Sequence, residues 1–158
     1  MKTMKISLVL GIVILFSSCQ FILGMFNDPD PYYPEIEIKQ GATVQEIGAW
    51  LDVNIEYKES PDGAVTTQTP LETWRLRTGD CSDIVILCMY MIRWSQNKFP
   101  DFIYGYLTTK GEKYGHAWIQ HEGRFLECQL SCKDVTDDPN YEMVKSISYY
   151  NLMKYGTY

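Results

Sequence analysis

The chain is poor in positive charge. Its 158 residues contain 14 lysines and arginines against 20 aspartates and glutamates, for a formal net charge of −6 at pH 7. Lys2 and Lys5 precede the first apolar segment, and a chain cleaved after that segment would lose both and carry −8. Contacts to nucleic-acid phosphates require clustered lysine and arginine side chains. The composition therefore argues against nucleic acid as a partner and against electrostatic adhesion to anionic lipid.

A long apolar run is also missing. The run 6–16 is well short of the roughly 20 apolar residues that a membrane span requires. Basic residues precede it and two serines follow it, a pattern typical of a secretory signal peptide. The next residue is Cys19, and the segment LFSSC at 15–19 resembles a bacterial lipobox.

The resemblance to a lipobox implies that Cys19 is diacylated and becomes the first residue of the mature chain. The chain then divides into a lipoprotein signal peptide at 1–18, a lipid-anchored tether at 19–33 and one domain at 34–158. The lipid would make the membrane a partner and hold the domain outside the cytoplasm, in the bacterial cell envelope. An ordinary signal peptide with a coincidental cysteine and an uncleaved anchor are the alternatives.

The residue pattern of the domain predicts helices first and strands afterwards. Capping signals mark helix starts at Thr43, Thr69 and Asp80. A two-residue hairpin turn is predicted at 122–123, and residues 141–158 read as either strand or helix. The predicted helices cover 43–52, 70 to near 77 and 81 to near 97, and the predicted strands cover 103–107, 117–120 and 124–129. This order indicates an α+β fold.

Cys81 lies at the start of the longest predicted helix, behind Gly79 and Asp80. The positive end of a helix dipole stabilises a thiolate over a thiol, and Gly79 permits a tight turn of the backbone into the helix. The alternative is a buried cysteine that acts as a small apolar side chain, the commoner state of a free cysteine. Cys88, within an apolar run two turns later, fits that alternative better. Cys81 is therefore the candidate nucleophile.

Only two histidines, His116 and His121, are available as a base. His121 adjoins the hairpin turn, where we expect exposure to solvent. A two-residue turn places Trp118 opposite Glu127 and His116 opposite Gln129, and residues two apart in a strand share a face. His116, Glu127 and Gln129 therefore project to one side. There the carboxylate or the amide can accept the Nδ1–H of His116 and orient its ring toward the thiolate.

Three segments resemble the transglutaminase-like superfamily of papain-fold cysteine enzymes. They are LETW at 71–74, GDCSD at 79–83 and HAWI at 116–119. The resemblance extends over about residues 43–130. It implies a papain-like fold, in which a central helix bearing Cys81 packs on an antiparallel sheet bearing His116 and Glu127.

The same resemblance implies roles for the site residues. Cys81 would be the nucleophile and His116 the general acid and base in acyl transfer from amide bonds of a peptide or protein. The family has aspartate at the third position, where this chain has Glu127, with Gln129 as the alternative third member. The backbone N–H of Cys81 and, as a weaker candidate, Trp74 would stabilise the oxyanion. No cofactor is implied.

Two functions remain open on the sequence. The first is a cysteine enzyme that hydrolyses amide bonds or crosslinks proteins, with hydrolysis favoured by family analogy alone. The second is a non-catalytic module of the same fold that binds peptide or cell-envelope ligands. The intact cysteine and histidine favour the enzyme, whereas the irregular third residue favours the binding module.

Cys128 and Cys132 suggest a metal site, with His116 or His121 as further ligands. However, a Cys-x-x-x-Cys spacing with scattered histidines is a poor match to structural zinc sites. A disulfide between the two cysteines and a pair of free thiols are equally compatible with the sequence. We assign no metal.

Overall fold

Capping side chains set where the first three helices begin. The computed structural model describes residues 32–60 and 67–155, and it places α1 at Val44–Asn54, α2 at Pro70–Leu76 and α3 at Cys81–Gln96. In each helix the cap side chain accepts the backbone N–H of the third helical residue, whose own side chain accepts the N–H of the cap. The pairs are Thr43 with Glu46, Thr69 with Glu72 and Asp80 with Asp83. The predicted helix starts are confirmed.

The long helix α3 lies in the middle of the core. Its residues 83–92 are all buried, because α3 packs against α1 and α2 on one side and against the following strands on the other. It ends at Gln96, and its C-cap residue Asn97 is left-handed, with a φ of 57°. The end predicted near Asn97 is therefore confirmed.

Two short strands lead into this helix. β1 (Glu56–Tyr57) follows α1, and β2 (Thr78–Gly79) lies directly before α3. They pair in parallel, with Tyr57 opposite Gly79. This pairing connects the end of α1 to the N-terminal end of α3, where Cys81 lies.

The second half of the chain forms an antiparallel sheet. Its strands are β3 (Asp101–Thr109), β4 (Glu112–His121), β5 (Arg124–Glu127), β6 (Lys133–Asp134) and β7 (Tyr141–Ile147). They are ordered β6-β5-β4-β3-β7, and every neighbouring pair is antiparallel. A last helix, α4 (Tyr149–Tyr155), follows β7.

The hairpin between β4 and β5 has the predicted register. Gln120 lies opposite Phe125, and both turn residues have left-handed backbones, with φ of 50° at Glu122 and 78° at Gly123. However, β5 ends at Glu127 instead of residue 129. The expected pairing of His116 with Gln129 is therefore wrong, because the chain turns away after Glu127, with the N–H of Leu130 donating to the Glu127 carbonyl at 3.1 Å.

The order of helices and strands confirms a mixed α and β fold with an antiparallel sheet. The C-terminal segment, predicted as strand or helix, contains both: β7 and then α4. No helix within the described ranges is both long enough and apolar enough to cross a membrane. Cys19, the predicted signal peptide and most of the predicted tether lie outside the described residues.

Candidate active site

Cys81 is held at the first position of α3 by a tight local arrangement. Asp80 Oδ1 accepts the N–H groups of Ser82 at 2.9 Å and Asp83 at 3.1 Å. Gly79 has no space for a side chain, because an added Cβ would lie 2.6 Å from the Cβ of Asp83. The glycine therefore permits the close turn into the helix that the sequence predicts.

The buried carboxylate of Asp83 completes this arrangement. It accepts the N–H of Asp80 at 3.0 Å and the N–H of Gln68 at 2.7 Å, while burial raises the pKa of Asp83. In the part of the chain that the structure describes, the N–H groups of Ser82 and Asp83 have acceptors and that of Cys81 has none. The Cys81 N–H is thus available to a developing oxyanion at the positive end of α3.

His116 projects from β4 and connects two parts of the site. Its Nε2 lies 2.6 Å from Oε2 of Glu127, and its side chain is 11% exposed. Trp118 and Tyr141 pack near the ring, each with a centroid 6.1 Å from that of the imidazole. The ring is therefore held by aromatic neighbours as well as by its hydrogen bond to the carboxylate.

The charge of His116 depends on both of its polar neighbours. Burial disfavours the charged ring, but hydrogen bonds with Cys81 and Glu127 and the negative charges of these groups raise the pKa of His116 to about 9. At neutral pH the ring is therefore an imidazolium between a sulfur and a carboxylate. We expected Nδ1 to face the third residue, but Nε2 does so, which leaves Nδ1 as the nitrogen available to Cys81.

Glu127 ends β5 and is almost fully buried, with 2% of its surface exposed. Besides His116, it accepts the hydroxyl of Tyr141 at 3.1 Å and the backbone N–H of Gln129 at 3.0 Å. These donors satisfy a carboxylate that would otherwise be costly to bury. Of the two predicted third members, the structure brings Glu127 to His116. The Gln129 side chain instead has a buried Nε2 with no hydrogen-bond partner among the described residues.

Trp74, the weaker oxyanion candidate, packs in an aromatic stack. Its ring lies parallel to Trp50, with centroids 4.6 Å apart and an interplanar angle of 9°. The Arg77 guanidinium lies 4.2 Å from the centroid of Trp74. These contacts support a packing role for Trp74.

His121 does not lie where we expected it. It is 6% exposed rather than solvent-exposed, because odd-numbered residues of β4, such as Ala117 and Ile119, face the core. Burial is the main reason that the pKa of His121 is lowered. The two histidines therefore lie on opposite faces of β4, and only His116 faces Glu127.

Two tyrosines near the site were missed by sequence reasoning. Tyr141 donates to Glu127, and it lies in a segment without clear periodicity, so nothing in the sequence singled it out. Burial, followed by an electrostatic interaction with Cys81, raises the pKa of Tyr57. A cavity of about 370 Å³ is lined in part by Tyr57, Ile84 and Gln129.

The remaining cysteines of the described ranges lie in a separate cluster. Cys88, Cys128 and Cys132 are buried, and all three are free thiols, as is the partly exposed Cys81. Of the two states that the sequence allowed for Cys128 and Cys132, the structure therefore has the free thiols.

Comparisons with known proteins found little. No family model matches the chain, and no curated protein sequence matches it. Among solved structures the chain is similar to a "putative cysteine protease" from Cytophaga hutchinsonii, with 18% identity and a TM-score of 0.41. The match covers 66% of this chain and 41% of that one, so this chain spans less than half of its length. A likeness this weak carries no argument about activity.

Proposed function

We propose that this protein is a lipid-anchored, extracytoplasmic cysteine enzyme of the transglutaminase-like type, which transfers acyl groups from amide bonds. The observation that carries the proposal is the His116 ring, whose Nε2 lies 2.6 Å from the Glu127 carboxylate and whose pKa is raised by Cys81 as well as by Glu127. A helix bearing the thiol and a sheet bearing the other two residues are also what a papain-like arrangement requires. Cys81, His116 and Glu127 would form its catalytic triad.

The chemistry follows from the charges of these groups. The Cys81 thiolate attacks an amide carbonyl of a peptide or protein, and the backbone N–H of Cys81 binds the oxyanion. The His116 imidazolium then gives its Nδ1 proton to the leaving amine, and an enzyme thioester remains. Water, or a second amine, attacks the thioester while His116 takes up the proton, which regenerates the thiolate and releases an acid or a new amide.

Glu127 would act on the ring and not on the substrate. Because its carboxylate accepts from Nε2 and is itself held by Tyr141 and Gln129, it fixes the ring and stabilises the imidazolium. A glutamate in place of the usual aspartate is compatible with this role, since its carboxylate reaches the histidine at 2.6 Å. The cavity beside Tyr57 offers space for part of the substrate.

Thiol reactivity tests the proposal without a known substrate. The wild type and His116→Ala are treated with iodoacetamide near neutral pH, and the alkylation of Cys81 is followed by peptide mass spectrometry. His121→Ala is the matched control, because His121 lies on the opposite face of β4. Fast alkylation of Cys81 that is lost only in His116→Ala supports an enzyme. Slow alkylation that neither variant changes would favour the non-catalytic binding module.

The lipid anchor is tested separately. Mass spectrometry of the protein from bacterial membranes should find Cys19 as a diacylated N-terminal residue, and globomycin should block its maturation. An unmodified N-terminus at another residue would refute the anchor and leave the cysteine chemistry untouched.

A further inference from the structure

Three buried cysteines converge behind the candidate active site. Cys88 comes from the middle of α3, whereas Cys128 and Cys132 come from the turn that follows β5. Each is at most 1% exposed. Their three sulfur atoms all lie within 4.8 Å of one another, and the sulfurs of Cys88 and Cys132 are 3.6 Å apart. Residues distant in sequence thus form one cluster of sulfur atoms, which we call the three-thiol cluster.

The backbone of the turn brings Cys132 back toward α3. Ser131 and Cys132 both have left-handed conformations, with φ of 51° and 54°, which are unfavourable for residues other than glycine. Helix α1 packs tightly on this turn, since a Cβ added to Gly48 would lie 2.3 Å from the carbonyl carbon of Ser131. The Ser131 hydroxyl also donates to Asp52 of α1. The turn is therefore held in a strained conformation that directs both of its cysteines inward.

We propose that the three-thiol cluster is a binding site for one soft, thiophilic metal ion, of the class that includes Zn²⁺ and Cu⁺. Thiolates are the ligands that these ions prefer. With metal–sulfur bonds of about 2.3 Å, two sulfurs on one ion lie about 3.8 Å apart in tetrahedral and about 4.0 Å apart in trigonal geometry. The observed spacing of 3.6 Å, with no pair beyond 4.8 Å, needs only small side-chain adjustments to match.

A metal ion would be bound by all three sulfur atoms of the cluster, whereas a disulfide would join only two of them. A disulfide brings two sulfurs to about 2.05 Å and leaves the third unpaired, whereas here all three sulfurs converge. Within the described ranges no further histidine, cysteine or carboxylate belongs to the group. The ion would therefore have three protein ligands, and Cys128 also lines the cavity from which a small fourth ligand could come. The sequence argued against a metal because it showed only two of the three sulfurs together.

The position of the cluster gives the metal a structural consequence. Cys128 directly follows Glu127, and Cys88 lies two turns after Cys81 on α3. An ion bound to all three cysteines would connect the helix of the candidate nucleophile to the strand end that carries the third residue. Metal binding at this cluster does not require catalytic activity, so the inference can be tested separately from the proposed function.

Metal binding by the full-length reduced protein tests this inference. Apoprotein is loaded separately with Zn²⁺, Cu⁺ or Co²⁺ and desalted, and bound metal is measured by elemental mass spectrometry. We expect one ion per chain for Zn²⁺ or Cu⁺, and the Co²⁺ form should show near-ultraviolet charge-transfer absorption with the intensity of three sulfur–cobalt bonds. The number of Zn²⁺ or Cu⁺ ions retained per chain shows which of the two ions the site binds.

Variants locate the site. Cys88→Ser, Cys128→Ser and Cys132→Ser should each weaken binding by more than about tenfold, since even the loss of an outer-shell partner of a metal ligand costs about 10- to 100-fold. Cys81→Ser is the matched control and should bind as the wild type does. Because a core variant can fail to fold, the metal content and the cobalt spectrum of the wild type decide alone. Failure to retain one Zn²⁺ or Cu⁺ per chain together with the absence of sulfur–cobalt absorption, or a disulfide between any two of the three cysteines in purified protein, would overturn the inference.

Discussion

Replacing Glu127 with glutamine should sharply weaken proton binding by His116. The substitution keeps the size of the side chain and an oxygen acceptor for Nε2, but it removes the negative charge. The rise in the pKa of His116 from 6.5 to about 9 corresponds to about 3 kcal/mol in favour of the imidazolium. Burial of the ring opposes this rise, and Cys81 and Glu127 together outweigh it, each through a hydrogen bond and a charge.

The share of Glu127 follows from its distance. At an effective dielectric constant of about 20, unit charges about 4 Å apart interact by about 4 kcal/mol, and Glu127 Oε2 lies 2.6 Å from the ring nitrogen. We therefore expect Glu127→Gln to reduce the proton affinity of His116 by at least about tenfold, equivalent to about 1.4 kcal/mol. The pKa of His116 should then fall from about 9 toward 6.5.

Histidine-ring NMR measures this change directly. The chain has two histidines, and His121, whose pKa is lowered by burial, serves as an internal reference in the same titration. Glu122→Gln, which removes an exposed carboxylate near His121, is the matched control and should leave His116 unchanged. A His116 pKa that stays near 9 in Glu127→Gln would refute the view that this carboxylate holds the imidazolium.

Three further predictions concern stability. Gly79→Ala should lower the free energy of unfolding in urea by about 1–3 kcal/mol, because the new Cβ would lie 2.6 Å from that of Asp83; an unchanged value would contradict the crowding. Tyr141→Phe should cost about 1–2 kcal/mol in the same assay, because it removes a hydrogen bond to the buried Glu127 carboxylate, and a stability equal to the wild type would be inconsistent with that bond. Because folding raises the pKa of His116, its stabilising contribution should be fully present below pH 6.5 and lost as the pH rises through about 9. This contribution to the free energy of unfolding is at most about 3 kcal/mol. The free energy of unfolding of His116→Gln should therefore vary less with pH between 6.5 and about 9 than that of the wild type. Identical pH profiles of the two proteins would count against the raised pKa.

Local sequence signals predicted the helix starts and the hairpin correctly. The three capping boxes connect residues three apart, and the turn at 122–123 sets the register of the residues beside it. Cys81 could be placed at a helix start for the same reason, since Asp80 and Asp83 lie within one turn of it. These features depend on short-range hydrogen bonds, which a linear pattern records.

Local sequence signals gave wrong predictions where contacts between distant parts of the chain determine the structure. His121 was expected to be exposed because it adjoins a turn, but the strand alternation buries it beneath the sheet. The pairing of His116 with Gln129 was expected from an unbroken β5, but the strand ends at Glu127, where the chain turns toward α1. Neither the burial of His121 nor the end of β5 at Glu127 could be predicted without the packing of the neighbouring helices.

The linear pattern thus identified the residues that could take part in cysteine chemistry, together with the helix start and the hairpin that carry them. The packing of the folded chain then established which of these residues meet. It brought Nε2 of His116 to Glu127, placed the Tyr141 hydroxyl on the same carboxylate, and put Cys88 beside Cys132, a residue 44 positions away. The physical reason is that capping and turn geometry act over a few residues, whereas the packing of α3 on the sheet sets distances between residues that are far apart in the chain.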